Sequence, residues 1–286
     1  MHKFLRAIGF SDITKKDLEM ILDEVITRPE IMKITKDSEG NEFAELSGSF
    51  AANAGITVRG TYQEDDSFHM DYYYPYVFGT SITTNEQIDV EKHAEKESYA
   101  GVCDEVNLGV TLIFYIQNVA DYLAETNRHL SKIHYGAMLA GLSTEGKILC
   151  PVVERKKNDV PAIQKNDRHN QLIAQAREGD EDAIESLTLE DMDTYALLMK
   201  EDIFSIVKST FMPFGIESDQ YTVLGEIIDC VTMENKLTHE KLYGMKLLCN
   251  NIQFDVCINE KDLLGEPAIG RRFRGNVWMQ GNLCLE

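Results

Sequence analysis

Residues 220–259 read QYTVLGEIIDCVTMENKLTHEKLYGMKLLCNNIQFDVCIN, a stretch in which apolar side chains recur at every second position. This period of two is typical of β-strands, and Asn250-Asn251 suits a tight turn between two of them. Strands joined so closely indicate a small antiparallel sheet or a partly open barrel. The predicted strands in the last part of the chain are 221–233, 243–249, 252–258 and 273–285.

The first half of the chain is predicted to contain more strands than helices. Thr14 and Asp17 have the spacing of a capping box, and the helix that they begin ends at Arg28-Pro29, because proline disfavours a helical residue before it. A strand-rich region follows from residue 31 to residue 79. Further predicted strands are 87–94, 110–116, 133–142 and 147–153, with a helical pattern at 117–128 and a turn at 143–146.

A polar segment with a proline, residues 154–161, predicts an exposed connection and a domain boundary. The predicted domains are a sheet-rich α+β domain, 1–157, and a helical block with the C-terminal strands, 158–286. Acidic residues crowd into 178–193, as on solvated helix faces, and 211–215 is expected to close the block. The predicted fold class is α+β: an N-terminal antiparallel sheet domain with flanking helices, then a helical block packed on a small four-stranded antiparallel sheet or partly open barrel.

The charge balance of the chain restricts its partners. Its 286 residues include 28 basic and 48 acidic side chains, which gives a formal net charge of −20. A surface this negative repels nucleic-acid phosphates and anionic lipids, so we expect no nucleic-acid partner and no membrane partner. The first residues lack the apolar core of a signal peptide, no window is apolar enough to span a membrane, and the six cysteines form no CxxC pair, so we expect no signal peptide and no membrane span. We therefore expect a cytoplasmic protein with reduced thiols.

Established motifs for catalysis and cofactors are absent from the sequence. No histidines have HxxxH or HExxH spacing, and GxSxG, Walker A and GxGxxG sequences are missing. Cys103 precedes Asp104 and Glu105, and such adjacent negative charge raises the pKa of a thiol. We therefore expect no metal, no cofactor and no catalytic residue, and the sequence leans against an enzyme.

An arginine-bearing segment near the C-terminus is the first candidate binding site. Arg271, Arg272 and Arg274 concentrate positive charge in a strongly acidic chain, and on a strand Arg272 and Arg274 share a face. An arginine pair beside glycines can hold a carboxylate or phosphate, with Glu266 close by. The alternative is that these arginines pair with the protein's own acidic side chains.

A run of tyrosines is the second candidate site. Alternation along a strand brings Tyr72, Tyr74 and Tyr76 to one face, although Pro75 indicates an edge strand or a bulge. Stacked tyrosines can form a platform for sugars or bases. The alternative is that the rings pack into the core while their hydroxyls reach water.

Five segments together resemble a known family: SYAGVC (98–103), LIFYIQN (112–118), FDVCIN (254–259), DLLGEP (262–267) and GRRFRGNVWMQG (270–281). They are similar to a bacterial family catalogued as a domain of unknown function, found in anaerobic Gram-positive bacteria. The likeness extends over nearly the whole chain, and it implies a bacterial cytosolic protein in which both predicted domains belong to one family unit. It implies no activity and no catalytic residues.

The sequence favours a non-catalytic binding or protein-interaction module, with an unknown protein partner or a small anionic ligand. The alternative is an enzyme that acts on a small anionic or sugar-like substrate at an inter-domain cleft, where Glu266 lies beside Arg271. A third possibility is a scaffold that forms homo-oligomers.

Overall fold

A computed structural model describes residues 1–92, 96–105, 107–127, 136–151, 207–215 and 219–285 of the chain. Of these described residues, 55% lie in strands and 14% in helices. The chain divides into two compact units, one made of Met1–Leu149 with Ser209–Glu286 and the other of Cys150–Lys208. Of the second unit, the structure describes only the two residues at each end.

The N-terminal sheet is an antiparallel meander in which each strand pairs with the next. Short polar turns join the strands, and Asn53 has a positive φ of 58° in the turn between the second and third. The strands are β1 (Ile31–Lys36), β2 (Glu42–Ala51), β3 (Ala54–Tyr62) and β4 (Phe68–Val77).

Helix α1 (Lys15–Thr27) covers one face of this sheet, and the sequence prediction of this helix is confirmed. The Thr14 hydroxyl accepts a hydrogen bond from the backbone N–H of Asp17 at 3.2 Å, which satisfies an otherwise unpaired donor of the first turn. Leu18 and Leu22 belong to the same buried apolar cluster as the sheet residues Leu46 and Ile56. A 3-10 helix, Lys3–Ile8, adds to this core.

The second sheet contains ten strands and takes them from both parts of the first unit. Five of them, in the order β8-β12-β11-β10-β14, close into a barrel because β14 also pairs with β8. Helix α2 (Val119–Asn127) follows β7. The strands are β5 (Asp89–Lys92), β6 (Tyr99–Glu105), β7 (Val110–Ile116), β8 (Gly136–Leu149), β9 (Thr210–Pro213), β10 (Gln220–Glu234), β11 (Lys241–Cys249), β12 (Ile252–Asn259), β13 (Leu263–Leu264) and β14 (Arg272–Cys284).

The predicted fold class is wrong: it was α+β, with an N-terminal antiparallel sheet domain followed by a helical block packed on a small four-stranded antiparallel sheet or partly open barrel. The described chain is mostly β, and its C-terminal strands close a five-stranded barrel. The four predicted strands are present as β10, β11, β12 and β14, and Asn250 and Asn251 form the predicted turn with φ of 46° and 69°. What the prediction missed is that β8, from the first half of the chain, pairs with β12 on one side and β14 on the other.

Residues 143–146, which read as a turn, lie inside the continuous strand β8. Gly146 is needed for space and not for a turn, since a Cβ there would lie 2.4 Å from the ring of Phe273. Gly275, which pairs with Gly146 across the β8–β14 ladder, makes room for the same ring. The glycine therefore lets a large side chain pack in the barrel, an effect that local turn propensity does not register.

The residues assigned to the helical block, up to 206, lie outside the described residues. The segment expected to close that block, 211–215, instead contributes to β9, which pairs with β10. Within the described residues, no helix has the length and apolar character needed to cross a membrane.

Candidate functional site

The two faces of the N-terminal sheet differ in polarity. Alternation along β2 and β3 directs Leu46 and Ile56 toward the core shared with α1. The residues that alternate with them are polar and buried: Glu45, Ser47, Thr57 and Arg59. In the β2–β3 register Glu45 lies directly opposite Arg59, and Ser47 directly opposite Thr57. The polar face therefore carries a cross-strand charge pair beside a cross-strand hydroxyl pair.

Arg59 is fully buried and is surrounded by oxygen atoms. Its Nε donates to Glu45 Oε1 at 2.8 Å, and its Nη2 lies 2.6 Å from the same oxygen. Its Nη1 donates to the hydroxyls of Tyr72 at 2.9 Å and Tyr115 at 2.8 Å, and Nη2 donates to that of Tyr74 at 3.2 Å. We call these five residues the Arg59 cluster. Tyr115 belongs to β7, so the cluster joins the two sheets.

The Arg59 cluster also fixes the segment between β7 and α2. Arg59 Nη2 donates to the carbonyls of Ile116 at 3.0 Å and Gln117 at 2.8 Å. Glu45 Oε2 accepts the backbone N–H of Ala120 at 2.8 Å, in the first turn of α2, where a carboxylate suits the helix dipole. Both oxygens of the carboxylate are therefore engaged.

In the Arg59 cluster the guanidinium is protonated and charged, and the phenol groups are protonated and neutral. Burial on its own lowers the pKa of Arg59, but the oxygens of Tyr115, Tyr72, Tyr74 and Glu45 outweigh burial and raise that pKa well above its usual value. Burial raises the pKa of Tyr74 and of Tyr115. The cluster is therefore a cation with one carboxylate and neutral hydroxyls.

Gln117 has an unpaired buried oxygen next to this cluster. Its Nε2 donates to the carbonyl of Val77 at 2.9 Å and to Gln280 Oε1 at 2.7 Å, and these two acceptors orient the amide. Gln280 in turn donates to the carbonyl of Pro75 at 2.9 Å. Gln117 Oε1 is buried and has no hydrogen-bond partner in the described structure. Such an atom calls for an explanation, because an unmade buried hydrogen bond costs about 1–3 kcal/mol.

Gln117 lines a cavity of about 310 Å³ between the two sheets, which we call the inter-sheet cavity. The hydroxyls of Ser47 and Thr57, 2.8 Å apart, form part of its wall. Lys33 Nζ lies 2.5 Å from Asp121 Oδ2, and both of these half-exposed side chains also line the cavity. The described lining residues are Ile31, Lys33, Glu45, Ser47, Thr57, Phe78, Gln117, Asn118, Asp121, Met138, Asn282 and Leu283.

Comparison with protein families gives a match that covers residues 5–281. The matching family is described as a domain of unknown function, DUF3881, with E. rectale in its description. The chain belongs to the DUF3881 family. This confirms the resemblance seen in the sequence. No curated protein and no solved structure matches the DUF3881 chain.

The predicted tyrosines of this DUF3881 protein are divided between two surroundings. Tyr72 and Tyr74 place their rings around the Arg59 guanidinium, with centroids 5.8 and 4.9 Å from its carbon. Tyr76 instead stacks on Phe78, with ring centroids 4.3 Å apart. Phe78 lines the inter-sheet cavity, whereas Tyr76 is not among its described lining residues and contacts Phe78 through this stack.

The predicted arginines are distributed over three environments. Arg271 is exposed, and its Nη1 donates to the carbonyl of Glu266 at 2.6 Å. Arg272 is buried on β14. Arg274 is exposed and lines a second cavity, of about 260 Å³, which we call the barrel-wall cavity. The described residues that line it are Glu145, Gly146, Lys147, Thr222, Leu264, Arg274, Gly275 and Asn276.

Other reactive groups do not gather at either cavity. Burial, with the nearby charge of Glu105, raises the pKa of the Cys103 thiol to about 12. Burial raises the pKa of Cys249 and of Cys257 to about 12 as well. In the part of the chain that is described, no three His, Cys, Asp or Glu side chains are grouped so that they could hold a metal ion.

Sequence reasoning missed Glu45, Arg59, Tyr115 and Gln117. The pair Glu45 and Arg59 has no simple signal, because regular pairing from the turn at Ala52-Asn53 would set Glu45 opposite Gly60, and a β-bulge between Ser49 and Ala51 shifts the register by one residue. Tyr115 and Gln117 have no signal either, since their role depends on how β7 meets the other sheet.

Proposed function

We propose that this DUF3881 protein is a non-catalytic module that binds a small molecule in the inter-sheet cavity. The observation that carries the proposal is the unpaired Gln117 Oε1, a buried acceptor that belongs to a residue lining that cavity. A ligand that donates a hydrogen bond to this atom would remove its desolvation penalty. The described lining combines four apolar side chains with eight polar or charged ones, so a ligand there would meet many hydrogen-bonding groups.

The chemistry of the lining supports binding without catalysis. Nucleophilic catalysis needs a hydroxyl or thiol that is hydrogen-bonded to a base. The two cavity hydroxyls, Ser47 and Thr57, bond to each other, and no histidine or cysteine occurs among the described lining residues. The carboxylate of Glu45 is engaged by Arg59 and by the N–H of Ala120.

A small anionic ligand at the barrel-wall cavity is the second candidate. Arg274 and Lys147 lie directly opposite each other in the β8–β14 ladder, and like charges in this arrangement repel. An anion that binds in this cavity would contact both cations. This candidate keeps Arg274 as a binding residue, with Arg271, Arg272 and Glu266 in the adjoining segment.

We also propose a cytosolic location and partners other than nucleic acids and anionic membranes. A cytosolic location is supported by the six cysteines, all of which are free in the structure. The net charge of −20 supports partners other than nucleic acids and anionic membranes. A protein partner and a homo-oligomer stay predictions from the sequence.

The test is a thermal-shift screen of the purified chain against neutral, zwitterionic and anionic small molecules. A cavity ligand at 100 times its Kd stabilises the folded state by about 2.7 kcal/mol, so the melting temperature rises by several degrees. The double variant S47A/T57V removes both hydroxyls of the bonded pair and also the hydrogen bond between Thr57 and Tyr74, so each ligand-induced shift is measured from that variant's own melting temperature. We expect this variant to lose most of the shift.

The matched control is T222V, the same threonine-to-valine change in the barrel-wall cavity. A shift that survives T222V and is lost in S47A/T57V supports the inter-sheet cavity. The reverse pattern supports the second candidate. If no compound shifts the melting temperature, or neither variant alters the shift, the proposed function is wrong.

A further inference from the structure

We infer that the ligand of the inter-sheet cavity is an uncharged polyhydroxylated molecule of monosaccharide size, such as a sugar or a cyclic polyol. This inference rests on the proposed function and names the class of molecule that the cavity accepts. Three properties of the lining carry it: its charge balance, its hydrogen-bonding groups and its apolar wall.

The charges around the cavity are already paired with one another. Lys33 pairs with Asp121 at 2.5 Å, and Glu45 pairs with Arg59 at 2.6 Å. Two cations therefore balance two anions. A charged ligand would lose its hydration on entry, and each charge that it meets already has a partner. An uncharged ligand avoids that cost.

The polar groups of the wall suit hydroxyls, which donate and accept. Gln117 Oε1 requires a donor. In the Ser47–Thr57 pair either hydroxyl can be the donor, so the pair can donate a hydrogen bond to a ligand hydroxyl or accept one from it. Asn118 binds the backbone N–H and carbonyl of Leu283, at 2.9 and 3.0 Å, which leaves its second amide hydrogen for a ligand oxygen. A molecule with several neighbouring hydroxyls meets all three requirements.

The rest of the lining suits the C–H face of a sugar ring. Ile31, Met138 and Leu283 supply aliphatic surface, and Phe78 supplies an aromatic ring held by its stack on Tyr76. A sugar presents hydroxyls at its edge and C–H groups on its faces, so it suits a cavity lined by both polar and apolar residues. The volume of about 310 Å³ is at the small end of ligand cavities, which favours one ring over an oligosaccharide.

The test compares ligands that share a shape and differ in charge. Isothermal titration calorimetry is performed with glucose, glucuronate and glucosamine, with galactose, galacturonate and galactosamine, and with myo-inositol and inositol phosphate. We expect at least one neutral member to bind, and its charged analogues to bind at least about tenfold more weakly, because a buried unpaired charge costs more than 1.4 kcal/mol. Binding of the neutral compound should weaken about tenfold or more in S47A/T57V and persist in T222V.

The outcomes separate this inference from the proposed function. If a charged analogue binds more tightly than the neutral sugars and myo-inositol, and S47A/T57V abolishes that binding, the cavity is a binding site and the inferred class is wrong. If no compound of any class shows binding that depends on Ser47 and Thr57, the proposed function fails and the inference fails with it.

Discussion

Two arginine-bearing regions of this chain contrast sharply. Arg59 stands in an alternating strand of the N-terminal sheet, whereas Arg271, Arg272 and Arg274 stand together in a conspicuous basic segment. The structure buries Arg59 completely, with a carboxylate, three phenol oxygens and two carbonyls around it. In the basic segment Arg271 and Arg274 are exposed.

The contrast teaches that cross-strand neighbours matter more here than local clustering of charge. The inter-sheet cavity lies next to the buried arginine, where the charges are balanced and an acceptor is unpaired. The barrel-wall cavity lies next to the exposed one, where two cations face each other. The two sites should therefore differ in their effect on stability and in the charge of the ligand that they accept.

The largest expected effect is that of Arg59→Met on stability. The substitution leaves Glu45 buried without its cation, which costs about 3–5 kcal/mol. The matched change Arg274→Met affects an exposed side chain and should cost less than about 1 kcal/mol. Equilibrium urea denaturation measures both free energies of unfolding. Similar values for the two variants would contradict the contrast between the regions.

A smaller effect is expected for the tyrosines that follow one another on β4. Tyr74→Phe removes a hydroxyl that accepts from Arg59 and donates to the carbonyl of Gln117, so it should cost about 2 kcal/mol. Tyr76 contributes through its ring, which stacks on Phe78, and Tyr76→Phe keeps that ring, so this change should stay within about 0.5 kcal/mol. Denaturation of the two variants side by side tests this, and a larger loss for Tyr76→Phe would be inconsistent with it.

The smallest effect concerns Glu97, whose carbonyl accepts from the Tyr72 hydroxyl of the Arg59 cluster. Burial tends to raise the pKa of its side chain, but hydrogen bonds from Ser38, Tyr99 and Lys92 outweigh burial and lower that pKa below its usual 4.5. A lowered pKa contributes stability above pH 4.5 that is lost as the pH falls through the folded-state value.

We therefore expect Glu97→Gln to be about 1 kcal/mol less stable than the wild type at pH 7, with this difference shrinking as the pH falls below about 4.5. Denaturant midpoints measured from pH 7 to pH 3 give the two curves. A difference that stays constant over this range would show that the carboxylate contributes nothing through its charge.

The sequence predicts the elements that depend on local pattern. Helix α1, the four strands β10, β11, β12 and β14, and the turn at Asn250-Asn251 all follow from periodicity and capping. Closure of the barrel does not follow from local pattern. Gly146 has the local sequence of a turn, and its role, which is to leave space for the Phe273 ring, arises only when β8 pairs with β14.

The candidate site was also hard to predict, because it depends on contacts between residues that are far apart in the sequence. The alternation of β4 brings Tyr72 and Tyr74 toward one face, but the residue that they surround lies on the neighbouring strand β3. The unpaired state of Gln117 Oε1 depends on Val77 and Gln280, which are 40 and 163 residues away along the chain. No local pattern carries that information.

The most direct measurement is a crystal structure of the chain with the neutral sugar or polyol that binds most tightly in the calorimetric comparison. We predict a ligand in the inter-sheet cavity with a hydroxyl oxygen about 2.7–3.2 Å from Gln117 Oε1 and a ring face against Phe78. A ligand seated between Lys147 and Arg274, or one that leaves Gln117 Oε1 without a partner, would contradict the assignment of this cavity as the binding site.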